Sequence, residues 1–294
     1  MEKTRKFPLI LSGFWLKIIA LVTMTFDHVG FMLPEGNFSL AFRIIGRIAL
    51  PLFAFMIAEG AIHTKSFKKY ALRLGIMASA ISLFLILNEI VGFDSSIREQ
   101  GNIFIDLLLG ALAIYLLRQD KWYIKALAAL PILFSVYSFI GSSLEVCGCH
   151  GKIIWCPFFL RTQYGWFAVV LIVLFYVAHL CTNVFIKYHS AISGIEVDNY
   201  KGTYLERNII NIFSFLMIVL LSVLYYVTGR LMPPQYVGWM LDIQLFAIIA
   251  GVFILLYNGC RGYNKKWFQY GSYLYYPVHM IVIYLIYLLT LISF

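Results

Sequence analysis

The sequence has 294 residues, of which 62% are hydrophobic and only 13% charged, with a formal net charge of +9. An average soluble domain is about half apolar and about a quarter charged, so this composition excludes a water-soluble fold. The positive charge does not point to nucleic acid, because Lys and Arg sit in short segments between apolar runs and make no contiguous patch interleaved with aromatics.

With a mean hydropathy of +0.84, apolar runs of the roughly 20 residues needed to cross a hydrocarbon core of about 30 Å recur along the chain. The first, at residues 14–33, is too long for a secretory signal, ends without an A-x-A-like site and is followed at once by others, so it is expected to be a retained helix. Further spans are expected at 44–62, 70–91, 103–117, 123–144, 165–186, 209–228, 238–257 and 270–292. The expected fold is therefore all-α: a polytopic transmembrane bundle of about nine spans forming a single domain over residues 1–294, with no internal repeat and no long linker.

Basic residues set the expected orientation. Lys3, Arg5 and Lys6; Lys65, Lys68 and Lys69; Arg118, Lys121 and Lys125; Lys187, Lys201 and Arg207; and Arg261, Lys265 and Lys266 all fall on one side of such a bundle. The rule that cytoplasmic loops are Lys/Arg-rich makes that side, and the N-terminus, cytoplasmic. The opposite loops are poorer in Lys and Arg, and an odd span number puts the C-terminus outside. Cys147, Cys149 and Cys156 then lie in an outward loop, where a disulfide with one spare cysteine is the simpler expectation; with His150 they lack the paired C-x-x-C spacing of closed zinc sites, and no metal site is expected.

Charges near mid-bilayer cost several kcal/mol and are where function is sought. In the first span Lys17 and His28 are eleven residues apart, which returns to within about 20° of one helix face. Asp27 stands beside His28. Lys17 either snorkels to cytoplasmic phosphates or serves a ligand, and Asp27 and His28 either satisfy each other or act chemically. The second span opens with Arg43-Ile-Ile-Gly-Arg47, two guanidinium groups one turn apart beside a glycine that permits close approach, and an ion pair from one of them to Asp27 is the simplest structural role. Pro51 is expected to kink this span, with Glu59 nearer its cytoplasmic end. Arg73, Asp106 and Asp242 fall near span ends, where interfacial placement is expected. Tyr257-Asn258-Gly-Cys-Arg261-Gly forms a turn after the eighth span. In the ninth, Pro277 is expected to kink the helix, while Tyr275, Tyr276 and His279 share a face. His179 lacks such company and reads as structural.

These residues resemble the TraX family, membrane proteins associated with N-terminal acetylation of conjugative pilin. The resemblance runs through Leu-Lys17-Ile-Ile-Ala-Leu with Asp27-His28, Arg43-x-x-Gly-Arg47-x-Ala-x-Pro51-Leu-Phe-Ala-Phe with Glu59-Gly and His63-Thr, and Asn102-Ile-Phe with Leu107-Leu-Leu-Gly. It continues in Tyr164-Gly165, Tyr257-Asn-Gly-x-Arg261-Gly and Tyr276-Pro-x-His279. Lys17-x10-His28 is also similar to the first-helix motif of acyltransferase family 3.

What the resemblance implies is an acetyltransferase of the bacterial cytoplasmic membrane, moving an acetyl group from cytoplasmic acetyl-CoA to an amine or hydroxyl of an exported protein or glycan. His28 and Asp27, with Arg43 and Arg47 at the oxyanion, are the implied catalytic residues. Lys17, Arg73, Tyr257, Asn258, Arg261, Tyr276 and His279 are the implied cofactor-binding set. The Cys-bearing loop and the hydrophilic segment 188–207 depart from that pattern. A transporter or flippase for a small anionic or lipid-linked substrate is the alternative, since buried charges and kinked helices also serve a substrate path, although matched broken helices in two halves are not evident.

Overall fold

A computed structural model describes residues 9–92, 101–146, 156–231 and 240–292. Among these the structure is helical, and one parallel bridge between Leu11 and Tyr257 is the only extended pairing. Among the described residues, six stretches are long and apolar enough to cross a membrane: Gly13–Met32, Asn37–His63, Phe67–Val91, Trp122–Ser142, Trp166–Ser193 and Tyr204–Leu231. Two shorter apolar helices, Ile103–Leu117 and Leu241–Leu255, and a final helix at Lys266–Ile292 occupy the remaining expected runs.

Three runs are not single helices. The second divides into α2 (Asn37–Gly46) and α3 (Ala49–His63), after α1 (Gly13–Met32). The break falls at Arg47 and Ile48, where Arg47 N–H bonds back to Ile44 and Ile48 N–H to Ile45, tightening the last turn. Pro51 therefore does not kink a continuous helix as expected. It is the third residue of α3, where its missing N–H would have had no helical partner.

After α4 (Phe67–Val91) and α5 (Ile103–Leu117), the fifth run repeats the device as α6 (Trp122–Ala126) and α7 (Ala129–Val146), with Pro131 again third in the new helix. Two long helices follow, α8 (Trp166–Ser193) and α9 (Tyr204–Leu231). The eighth run is α10 (Met240–Gln244), a 3₁₀ stretch at Leu245–Ile249 and α11 (Ala250–Leu255). The ninth, α12 (Lys266–Ile292), continues through Pro277.

The chain gathers into two compact units, each discontinuous in sequence. One comprises Met1–Phe53, Val177–Leu224 and Asp242–Phe294; the other Ala54–Tyr176 and Tyr225–Leu241. In the second unit α4 is apolar on two faces. Leu74, Ala78, Ile81 and Leu85 are buried, whereas Leu72, Ile76, Leu83, Leu87 and Ile90 are exposed. Outward leucines on a helix of this length suit a lipid surround, in which association rests on close packing and interhelical polar contacts rather than on the hydrophobic effect.

Those polar contacts are present. Asn102 donates to the Ala78 carbonyl at 2.8 Å and to Ser82 Oγ at 3.1 Å, and Ser82 Oγ donates to the Phe159 carbonyl at 2.6 Å. Asp106, in the first turn of α5, is fully buried within the protein and accepts from the backbone N–H groups of Gln163 at 2.7 Å and Tyr164 at 3.3 Å. A carboxylate in a bilayer needs such donors, and the loop after Arg161 supplies them.

In the first unit the turn after α11 carries Cys260, an exposed free thiol in a loop expected to be cytoplasmic. A membrane-impermeant maleimide is expected to label wild-type protein more than Cys260→Ser protein in inside-out vesicles, and equally in intact cells. A Cys260-dependent signal in intact cells would reverse the assigned orientation.

Candidate functional site

The polar residues of α1 meet those of α12. Lys17 Nζ lies 5.5 Å from the Phe268 ring centroid, Thr25 Oγ1 is 2.7 Å from the Tyr275 hydroxyl, and His28 Nδ1 is 2.7 Å from His279 Nε2. Lys17 to His28 is eleven residues, and so is Phe268 to His279, so the two helices run in the same direction with their polar stripes in register. Leu21, Met24 and Ala49 form the buried apolar cluster between, with Phe53, Tyr275 and Tyr276 packed against it. The stripe read from the sequence is thus a helix-helix seam.

At its far end the two imidazoles form a directional chain. His279 Nδ1 lies 2.7 Å from the Tyr275 carbonyl oxygen, which can only accept, so Nδ1 carries the hydrogen. In neutral His279 Nε2 is then the acceptor, and His28 Nδ1 donates to it. His28 Nε2 is left with its lone pair. The Tyr275 ring stacks on His279 at 5.0 Å and 10°, while Tyr276 meets both imidazoles edge-on, at 5.7 Å from His279 and 6.1 Å from His28. Thr25 already donates to the Leu21 carbonyl, so the Tyr275 hydroxyl donates to Thr25 and its ring is held.

Asp27 is not the partner of His28. Successive residues on a helix point about 100° apart, and the Asp27 carboxylate faces α2, where it pairs with Arg47 and, at 3.7 Å, with Arg43 Nε. Arg47 also donates to the Arg43 carbonyl at 3.3 Å and reaches Gln244 Oε1 at 3.5 Å. Two glycines let the helices approach: a methyl on Gly46 would stand 2.7 Å from Asp27 Cα, and one on Gly30 would stand 2.9 Å from Arg43 Cγ. Ser39 closes the hairpin by donating to the Gly30 carbonyl.

Gln244 was not among the residues singled out from the sequence. Its signal was a carboxamide inside an apolar run, at the junction of α10 and the 3₁₀ stretch. It is buried, with Nε2 lacking a hydrogen-bond partner among the described residues.

The residues expected around acetyl-CoA divide. Tyr257 and Asn258 serve the fold: Asn211 donates to the Tyr257 carbonyl at 2.7 Å, Arg207 covers the Tyr257 ring at 4.4 Å, and Asn258 N–H donates to the Leu11 carbonyl at 2.8 Å. The Asn258 side chain accepts from Cys260 N–H, shaping the turn. Gly13 and Phe14, at the start of α1, donate to the carbonyls of Cys260 and Arg261, so this turn caps the helix that carries Lys17 and His28. The Arg261 side chain is exposed, and Lys17 is half-buried beside Phe268, whose ring centroid is 4.9 Å from that of Phe14. Tyr276 and His279 stand with His28 instead. Arg73 is exposed on α4 in the other unit.

Cys156 is a buried free thiol, and Arg161 donates twice to its carbonyl, at 3.2 and 3.0 Å. Cys147, Cys149 and His150 lie outside the described residues. In the hydrophilic segment Tyr200 is buried, its hydroxyl 2.8 Å from His189 Nδ1. Exposed Asp198 pairs with Lys201 at 2.6 Å, which holds its carboxyl below the usual range.

An all-α bundle with repeated membrane-length helices, and a buried cluster of histidines, arginines and a carboxylate inside it, defines a multi-pass membrane protein with a polar site in its interior. The TraX family model, described as "TraX protein", matches residues 12–287, and the chain belongs to that family. It is also similar to a protein of Dichelobacter nodosus described as "Probable fimbrial assembly protein FimC, serogroup H1", with 34% identity over 110 residues. That alignment covers 35% of this chain and 45% of the relative, so less than half of the relative is spanned. No solved structure matches the chain.

Proposed function

We propose that this protein is an acetyltransferase of the bacterial cytoplasmic membrane that moves an acetyl group from cytoplasmic acetyl-CoA to an amine or hydroxyl of an exported acceptor. The observation that carries the reading is the α1–α12 seam, with Lys17 at one end and a histidine with an uncommitted Nε2 at the other. Eleven residues of helix separate them by about 16 Å, a span commensurate with an extended phosphopantetheine arm. Lys17 and the exposed Arg261 at the same end would neutralise phosphates of the donor.

At the other end His28 Nε2 takes the proton of the acceptor as its nitrogen or oxygen attacks the thioester carbonyl. The positive potential of Arg43 and Arg47 stabilises the oxyanion. As the C–S bond breaks, protonated His28 returns the proton to the leaving thiolate, giving the acetylated acceptor and CoA thiol. The fimbrial description of the D. nodosus relative favours a pilin-like subunit over a glycan as acceptor.

The test is transfer of labelled acetyl from acetyl-CoA by purified protein in vesicles, offered a pilin peptide or a surface glycan, beside calorimetry with acetyl-CoA at low and high salt. Binding that weakens with salt and incorporation into one acceptor are expected. Absence of both binding and incorporation would remove the reading.

The interruptions in the second, fifth and eighth runs favour one other reading, transport, because discontinuous helices are also how carriers hold substrates. Movement of a labelled anion across the vesicle without acetyl transfer would select it.

A further inference from the structure

We propose that His279 is the positioning residue of this site, holding His28 in the tautomer whose Nε2 accepts a proton, the role that the neighbouring Asp27 would otherwise be expected to fill. The inference rests on the acyl-transfer reading for its chemistry, but its geometry stands alone. A general base is useful only if the nitrogen facing the acceptor is the unprotonated one, and an imidazole hydrogen-bonded at its other nitrogen to an acceptor satisfies that. Asp27 cannot do this, since its carboxylate is engaged by Arg43 on α2 and by Arg47 just past its end.

His279 can, because its own tautomer is set by the Tyr275 carbonyl one turn back, leaving Nε2 as the acceptor 2.7 Å from His28 Nδ1. The ring cannot easily turn, being stacked on Tyr275, whose hydroxyl is tied to Thr25. When His28 Nε2 gains the acceptor's proton, both its nitrogens become donors, and the bond to His279 Nε2 becomes charge-assisted. The ionisable groups around the pair are Asp27 beside His28, Arg43 and Arg47 from α2, and Tyr275 and Tyr276 from α12. An electroneutral acceptor such as His279 therefore supports His28 without adding a second carboxylate for the two arginines to bind.

Two substitutions separate positioning from packing. Gln at 279 keeps an acceptor oxygen near His28 Nδ1, whereas Leu keeps volume and removes the acceptor. His279→Gln is expected to retain transfer within about tenfold of wild type, and His279→Leu to lose about a hundred- to ten-thousand-fold in kcat with KM for acetyl-CoA little changed. Equal loss in both, or better activity in His279→Leu, would overturn the proposal.

Nitrogen-15 spectra of histidine-labelled protein in bilayers, with His28 assigned by difference against His28→Asn, give a second readout that needs no activity. They are expected to show His28 protonated at Nδ1 in wild type and in His279→Gln. Protonation at Nε2 in wild type would overturn the proposal even if transfer is observed. Absence of transfer by wild type with Nδ1 protonation intact would instead overturn the acyl-transfer reading and leave the relay standing.

Discussion

Replacing His28 with alanine is expected to lower acetyl transfer by about a hundred- to ten-thousand-fold, the usual effect of removing a general base. Protein level and acetyl-CoA binding should stay near wild type. His28 is not fully buried, and the hydrogen bond lost on truncation is the one to His279. That bond is worth about 1 kcal/mol net, small against the 5–15 kcal/mol by which a folded protein is stable. The donor contacts proposed at the Lys17 end lie about 16 Å away and would be untouched. The loss should therefore appear in kcat and kcat/KM together, the pattern of an interaction made only in the transition state. The measurement is labelled acetyl incorporated by wild-type and His28→Ala vesicles of matched protein content. Equal incorporation would return His28 to a purely structural role.

Asp27→Asn is expected to act on folding first. Arg43 is 4% and Arg47 2% exposed, and Asp27, 8% exposed, is a carboxylate shared between them. Removing one partner of a buried ion pair costs about 3–5 kcal/mol, because the remaining charge has been taken out of water without compensation. Asparagine has nearly the shape of aspartate, so it fits against Gly46 and isolates the charge effect from packing. A marked fall in monodisperse protein after detergent extraction, and a lower unfolding temperature, are the expected results. Asp27→Asn combined with Arg47→Gln, which removes an unpaired charge, should recover part of both. Thermal stability of Asp27→Asn equal to wild type would show that Asp27 is not the counter-ion on which the α1–α2 hairpin depends.

The sequence by itself determined the membrane bundle, the positions of its nine apolar runs and the residues worth suspecting. A bilayer leaves a strong record in composition, because each crossing demands about 20 apolar residues and each charge within one is costly. Helical periodicity was enough to place Lys17 and His28 on one stripe, and the glycine between Arg43 and Arg47 marked the close approach to α1. Breaks were harder to place, because Pro51 reads as a kink while serving, like Pro131, as an early residue of a new helix.

Only the tertiary structure decided the partners. His28 and His279 are 251 residues apart, and Asp27, adjacent to His28 in sequence, turns to α2 instead. Likewise the local sequence did not show that the Tyr257–Arg261 turn caps α1, and Gln244 enters the Arg47 cluster from a run whose polarity had drawn notice only at Asp242. The reason is physical. Local spacing dictates which side chains share a face, but in a membrane protein the lipid-facing and helix-facing sides are both apolar, so composition does not say which faces meet. That choice belongs to polar and small residues far apart in the chain, whose pairings exist only once the helices have packed.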